Sequence, residues 1–135
     1  MNCLPTQLHI FIGGHRGTSY SQMLTGEQLA YQRFEFGCSD PQTELLTVDN
    51  EAWQTFRERL DSLGVDQWEL NYPNRSGKRD GAHWSLEISY ADGVRSSSGD
   101  NNYPGIEAEN GSADDPFAEF LSAVSSLIGG REFRA

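Results

Sequence analysis

A segment rich in carboxylates and free of basic residues runs from residue 100 to residue 119. Carboxylate and amide oxygens are calcium ligands, but their spacing here does not match a helix–loop–helix calcium loop. The charge also favours contact with a basic protein surface, while the simpler alternative is a solvated loop whose last acids stabilise the following helix. The candidate partner-binding residues in this segment are Asp100, Glu107, Glu109, Asp114 and Asp115.

A glycine-rich stretch, residues 13–19, is the second place where chemistry could occur. His15, Arg16 and Ser19 of this stretch, together with Cys38, could surround a ligand pocket or supply acid–base and nucleophilic groups. Such a role requires the fold to bring a nucleophile, a base and an orienting acid together. The stretch lacks the lysine of a phosphate-binding loop, so a flexible turn is the alternative.

Cysteine and histidine are too few and too scattered to predict a metal site. The chain has two cysteines and three histidines, and they do not follow the spacing of zinc ligands. Cys38 could pair with His83, but the nearby Asp40 disfavours a thiolate, so a small buried thiol is the favoured interpretation. We therefore expect no metal, no cofactor and no catalytic residue.

The charge balance bears on the kind of partner. The chain has 10 basic and 20 acidic residues, a formal net charge of −10 that repels phosphate backbones. Direct nucleic-acid binding is therefore not expected, and a partner with a basic surface is favoured. No apolar run is long enough to span a membrane, and the N-terminus lacks the pattern of a signal peptide, so we expect a cytoplasmic protein.

The elements that must position these residues begin with short strands. A chain of 135 residues with 36% hydrophobic residues can bury a core, so a single domain over residues 1–135 is expected. Alternating apolar residues predict a strand over residues 8–12. Two more strands are expected, one from Gly26 to Gly37 with a bulge near Arg33, and one from Glu44 to Val48.

Two helices are indicated by apolar residues at three- and four-residue spacing. The first is expected over residues 50–63, with Asp49 or Asn50 as its N-cap and a glycine at its end. The second is expected over residues 116–128, since an acidic residue and a proline mark its start. The tail, residues 131–135, is expected to be loose.

Strict alternation of apolar and polar residues is clearest between residues 67 and 98. Trp68, Leu70 and Tyr72 alternate with polar residues, and so do the apolar residues between 84 and 90. Asp92-Gly93 favours a tight turn into a returning strand. The pattern predicts a three-stranded antiparallel meander. The whole chain is therefore expected to be α+β, with an antiparallel sheet of about five to six strands packed on one face by two helices.

Residues 80–104 also carry a motif. Asp80-Gly81 precede a strand that contains Trp84, Asp92-Gly93 turn that strand, and residues 99–104 read G-D-N-N-Y-P. This resembles the ending of many small uncharacterised bacterial proteins, in which a D-G-x-x-W strand leads through a D-G turn to a G-x-N-x-Y-P segment and a terminal amphipathic helix. The similarity covers residues 68–128. It implies a fold and no particular reaction.

The charge and the lack of catalytic motifs favour a non-enzymatic protein-binding module. Small acidic domains of this kind include inhibitors and immunity-type proteins, among them inhibitors of CRISPR complexes, which occupy basic surfaces of their targets. This comparison is an analogy, because fold and charge do not fix function. The alternatives are a small-ligand binder or enzyme that uses the loop around His15, and an accessory domain that forms a homodimer through its sheet.

Overall fold

The computed structural model of the protein describes residues 4–13, 18–26, 28–35, 40–72, 83–100 and 116–133. Within these ranges seven strands form one sheet, with the bounds β1 (Gln7–Gly13), β2 (Thr18–Thr25), β3 (Gln28–Glu35), β4 (Gln42–Thr47), β5 (Asn71–Tyr72), β6 (His83–Tyr90) and β7 (Gly93–Asp100). Their order across the sheet is β4-β3-β2-β1-β6-β7-β5. Neighbouring strands are antiparallel except β5 and β7, which are parallel.

Two α-helices and one short 3-10 helix complete the described elements. Helix α1 (Asn50–Leu63) begins where the Asp49 carboxylate accepts a hydrogen bond from the Ala52 amide at 2.8 Å. It ends at Gly64, whose positive φ of 69° is a backbone conformation that glycine adopts without strain. The 3-10 helix (Val65–Gln67) follows, and α2 (Pro116–Leu127) lies after the last strand. Both predicted helices are confirmed to within one residue.

The helices pack side by side on one face of the sheet. Apolar residues of the central strands, such as Ile10 on β1 and Leu86 on β6, point toward the apolar faces of both helices. Arg59 of α1 reaches Glu119 near the start of α2, and Asp49 lies in the same cleft as the C-terminal turn of α2, so the helices are antiparallel. The α+β class, with two helices on one face of a largely antiparallel sheet, is confirmed.

The residues that follow α2 are packed against the same face rather than loose. Phe133 is buried and lies 6.0 Å from the ring of Tyr20. Tyr20 donates a hydrogen bond to the Glu132 carboxylate at 2.9 Å, and Tyr31 donates one to the Glu132 carbonyl at 2.6 Å. The expectation of a loose tail was therefore wrong for residues 131–133.

The predicted meander is right in its second half and wrong in its first. Strands β6 and β7 form the expected hairpin, although its turn residues are Ala91 and Asp92, because Gly93 already pairs with Tyr90. The first strand is reduced to the two residues of β5, which pair in parallel with the far side of β7. The alternation of apolar and polar residues before β5 does not reflect a strand, because Leu70 is 72% exposed and does not lie on a buried face.

The N-terminal half contains one more strand than the sequence indicated. The stretch 13–19 was expected to be a loop, but its last two residues begin β2. Gln22 interrupts the apolar period on the buried face of β2, which is why the strand was not recognised. The bulge expected near Arg33 is absent from β3, whose pairing with β2 and β4 runs without interruption.

Candidate functional site

The side of the sheet opposite the helices, called here the open face, is not covered by any described element. Its residues on β1 to β4 include no Asp, Glu, Lys or Arg, although the chain carries a net charge of −10. The members of this part are Gln7, His9, Phe11, Ser19, Ser21, Met23, Thr25, Gln28, Ala30, Gln32, Phe34, Thr43, Leu45 and Thr47.

An apolar row crosses the middle of the open face. Cross-strand pairing places Met23 beside Ala30 and Ala30 beside Leu45. Met23 is 45% exposed and Leu45 is 59% exposed. Phe11 and Phe34 are half-buried on the same face. A group of apolar side chains of this kind, surrounded by polar ones, is typical of a surface that contacts another protein.

Carboxylates appear on the open face only toward β6 and β7, among the described residues. Glu87 lies on β6, and Asp100 ends β7. The Asp100 carboxylate oxygen lies 3.3 Å from Nδ1 of His83, its cross-strand neighbour. Asp100 is thus the one predicted partner-binding residue whose position is known, because the other four (Glu107, Glu109, Asp114 and Asp115) lie outside the described residues.

The second predicted site is described only in part. Ser19 lies on β2 opposite Gly13, and Gly13 pairs with His83 on its other side. A side chain at Gly13 would collide with the Ser19 hydroxyl, since a Cβ there would lie 2.2 Å from Oγ. Ser19 therefore lies at the same end of the open face as the His83–Asp100 pair. The remaining members of that prediction (His15, Arg16 and Cys38) lie outside the described residues.

Every arginine in the described ranges is paired with a carboxylate at 2.5 to 3.4 Å, and the pairs are Arg33–Glu35, Arg57–Asp92, Arg59–Glu119, Arg95–Asp61 and Arg131–Glu44. The positive charges are thus locally matched, and the excess of carboxylates sets the sign of the surrounding field. The hydrogen bond from Arg57 lowers the pKa of Asp92 below its usual value, and Arg57 also lies over the ring of Tyr90. None of these arginines belongs to the open face.

The clefts on the helix side of the described residues include the following two. One, of about 290 Å³, lies between α1 and α2, with Thr55 and Ser126 among its lining residues. The other, called here the edge cleft, has a volume of about 450 Å³ and lies beside β4, lined by Tyr31, Arg33, Gln42, Thr43, Glu44, Arg131 and Glu132. Burial, followed by the neighbouring Tyr20, raises the pKa of Tyr31 above its usual value. The hydroxyl therefore stays protonated and donates to the Glu132 carbonyl.

Two further observations concern metals and membranes. Across the described residues, no three His, Cys, Asp or Glu side chains come together in a group that could hold a metal ion. Among the same residues, no helix has the length and apolar character needed to cross a membrane.

No protein-family model matches this chain, and no curated protein sequence is significantly similar to it. The function is therefore inferred from the geometry of the chain itself. The feature that sequence reasoning missed is the uncharged part of the open face. A signal for it existed in the absence of acidic residues between residues 4 and 26, a long interval for a chain with 20 of them.

Proposed function

We propose that this chain is a non-enzymatic binding protein whose open face docks on a partner protein with a basic surface. The observation that carries the proposal is the contrast between the uncharged β1–β4 part of the open face and a strongly acidic chain. Burying charged groups in a contact is costly, so an uncharged area is where a partner can approach at the lowest desolvation cost.

The size of the open face is suited to this role. From the spacing between strands and the rise per residue along them, the open face has an area of roughly 600 Å². A stable interface typically buries about 800 Å² on each partner, so the face and its surroundings together approach that area. The apolar row from Met23 to Leu45 would supply the dry centre, and polar side chains around it would supply the rim.

Electrostatics favour a basic partner. Carboxylates such as Glu87 and Asp100 border the uncharged area on the β6–β7 side, and the arginines of the described ranges already have carboxylate partners. Opposite charges at the rim of an interface speed association and suppress unsuitable partners. Association should therefore weaken as salt rises.

A binding protein with these properties would act as an inhibitor or an immunity-type protein. Basic protein surfaces commonly bind nucleic acid through phosphate contacts. An acidic domain seated on such a surface would exclude the nucleic acid, which is the mode of action expected for an inhibitor of a CRISPR complex, for example. The partner-binding role of Glu107, Glu109, Asp114 and Asp115 belongs to the same proposal.

The test is affinity capture from host lysate with two variants matched in charge. Met23→Arg places a positive charge on the open face, whereas Gln54→Arg places the same charge on the exposed side of α1. We expect wild type and Gln54→Arg to retain the same protein at low salt and to release it at high salt. Met23→Arg should retain at most about a tenth as much. Equal retention by both variants would overturn the proposal.

Light scattering on the purified variants separates a foreign partner from a second copy. If wild type is a dimer and Met23→Arg is a monomer, the open face binds another copy of this chain, and the homodimer alternative replaces the basic partner. A monomeric wild type that retains its partner through the open face supports the proposal as stated.

A further inference from the structure

Strand β4 leaves one edge of the sheet open. It is the terminal strand of the described sheet and pairs with β3 through six consecutive residue pairs, so its opposite side has no strand partner. The other terminal strand, β5, has only two residues. The two edges therefore differ, because a two-residue strand offers little to pair with, whereas β4 offers a full strand.

Most of the usual protections against strand pairing are missing from β4, whose one charged residue, Glu44, is paired with Arg131. The strand contains no lysine, arginine or proline, and its pairing with β3 has no bulge. Its side chains are exposed except that of Leu46, which is half-buried. Natural sheets normally protect a long edge by such devices, so an unprotected one is a site for an added strand.

The edge cleft lies next to this strand on the helix side. Gln42 and Glu44, on the helix side of β4, line it, so side chains of an added strand that point to the helix side would face the cleft. Those that point to the other side would lie next to Leu45, which is 59% exposed on the open face. An alternating segment, with polar residues toward the cleft and apolar residues toward Leu45, fits both surroundings.

The charge near β4 selects the occupant. Asp40 precedes the strand and Asp49 follows it, both of them exposed, whereas Glu44 within the strand is already paired with Arg131. A second copy of the chain paired in this way would bring these carboxylates together, which is unfavourable. A segment with basic residues would place opposite charges there instead.

We propose that β4 accepts an extended, basic segment of the partner protein as an additional strand. The backbone of that segment pairs with the free edge of β4, its basic side chains lie near Asp40 and Asp49 at the two ends of the strand, and its apolar side chains contact Leu45. This inference rests on the proposed function and names the part of the partner that would be recognised.

The test uses synthetic peptides with a terminal fluorophore, measured by fluorescence anisotropy at moderate salt. The probe alternates Lys and Val, one control alternates Glu and Val, and a second control keeps Lys and Val but carries N-methyl groups at alternate backbone amides. N-methylation removes the backbone donors and leaves the side-chain charge. We expect both controls to bind about tenfold more weakly than the probe, or worse. Equal binding by the N-methylated peptide would overturn strand addition.

Matched protein variants locate the binding. Leu45→Lys places a charge on β4, and Val94→Lys places the same charge at an equally exposed position of β7. The probe should bind Leu45→Lys about three- to tenfold more weakly and Val94→Lys almost as well as wild type. In NMR spectra the amides of β3 and β4 should shift, and shifts confined to β6 and β7 would contradict the proposal.

A β4 variant that leaves the open face unchanged separates this inference from the proposed function. Gln42→Lys places a charge on the helix side of β4. If Met23→Arg abolishes capture of the native partner while Gln42→Lys does not affect it, the open face binds a partner and strand addition is wrong. If neither variant affects capture, both proposals fail together.

Discussion

Gln22 is the most unusual residue of the core. It is fully buried at 0% exposure on the helix side of β2, beside Ile10 on β1 and Tyr31 on β3. Neither atom of its amide group has a hydrogen-bond partner among the described residues. Burial of an unpaired amide costs free energy that an apolar side chain of the same shape would not cost.

Gln22→Met should therefore stabilise the protein. Methionine has a similar length and no amide to desolvate, so we expect the free energy of unfolding to rise by about 1–3 kcal/mol. Chemical denaturation monitored by tryptophan fluorescence measures this change. Gln28→Met, at an exposed position of β3, serves as the control and should alter stability by less than about 0.5 kcal/mol. A loss of stability in Gln22→Met would show that the amide is satisfied in solution.

The Arg57–Asp92 ion pair should give the protein a dependence on acid. Because Arg57 lowers the pKa of Asp92 in the folded state, the stabilisation is present above the unfolded pKa of an aspartate and is lost as pH falls through the folded value. Asp92→Asn should remove that part of the loss of stability at low pH. From neutral to alkaline pH, the dependence of stability on pH should keep the same shape. Denaturation midpoints measured from neutral pH down to pH about 3 test this, since the folded pKa lies below the usual aspartate value. If the stability of the two proteins fell in parallel as the pH is lowered, the prediction would be contradicted.

Secondary-structure elements with strong local signals were predictable. Helix α1 has an N-cap at Asp49, an apolar stripe that includes Trp53, Phe56 and Leu60, and a glycine at its end, and all three signals agree. The strand prediction for the segment before β5 was wrong, because the alternation of apolar and polar residues there is not that of a strand. Trp68 belongs to an aromatic cluster with Trp84 and Phe120, whereas Leu70 faces solvent.

Other features depend on tertiary structure and were not recognised from sequence. Strand β2 was missed because the burial of Gln22 contradicts its polarity. The open face was missed because packing decides which side of a strand the helices cover. The alternation of His9 and Phe11 with Ile10 does not show which side that is. Asp100 was singled out by composition, and the structure adds its pairing with His83.

Asp49→Ala should destabilise α1. The carboxylate satisfies the Ala52 amide, which would otherwise lack a partner at the start of the helix. We expect a loss of about 1 kcal/mol in the free energy of unfolding, measured by chemical denaturation. Asp40→Ala removes the same charge outside any helix and should have a much smaller effect. Equal effects would mean that charge, rather than capping, accounts for the loss.

At the scale of the whole molecule, negative charge is in excess and unevenly distributed. The net charge of −10 repels itself in the folded state. The arginine–carboxylate pairs offset part of this repulsion locally, and the open face carries little of the charge. Among the described residues, the carboxylates therefore lie mainly away from the open face, whose β1–β4 part is uncharged.

Added salt should stabilise the folded protein. At about 0.15 M ionic strength the Debye length is about 8 Å, so long-range repulsion is screened while the close ion pairs keep more of their attraction. We expect the thermal midpoint, measured by circular dichroism, to rise as sodium chloride is added from low concentration. A falling midpoint would mean that the ion pairs outweigh the excess of carboxylates.

The pairing of β1 with β6 is the only ladder that joins the first four strands of the described sheet to the last three. It contains seven residue pairs, and the helices on either side of the chain's midpoint also pack together. A backbone cut between Tyr72 and His83 would therefore leave two pieces held by this ladder, by the short pairing of β5 with β7 and by the helix contact. Neither piece could cover its apolar residues alone, so the two should reassemble when expressed separately, as in a split reporter whose signal depends chiefly on the β1–β6 ladder.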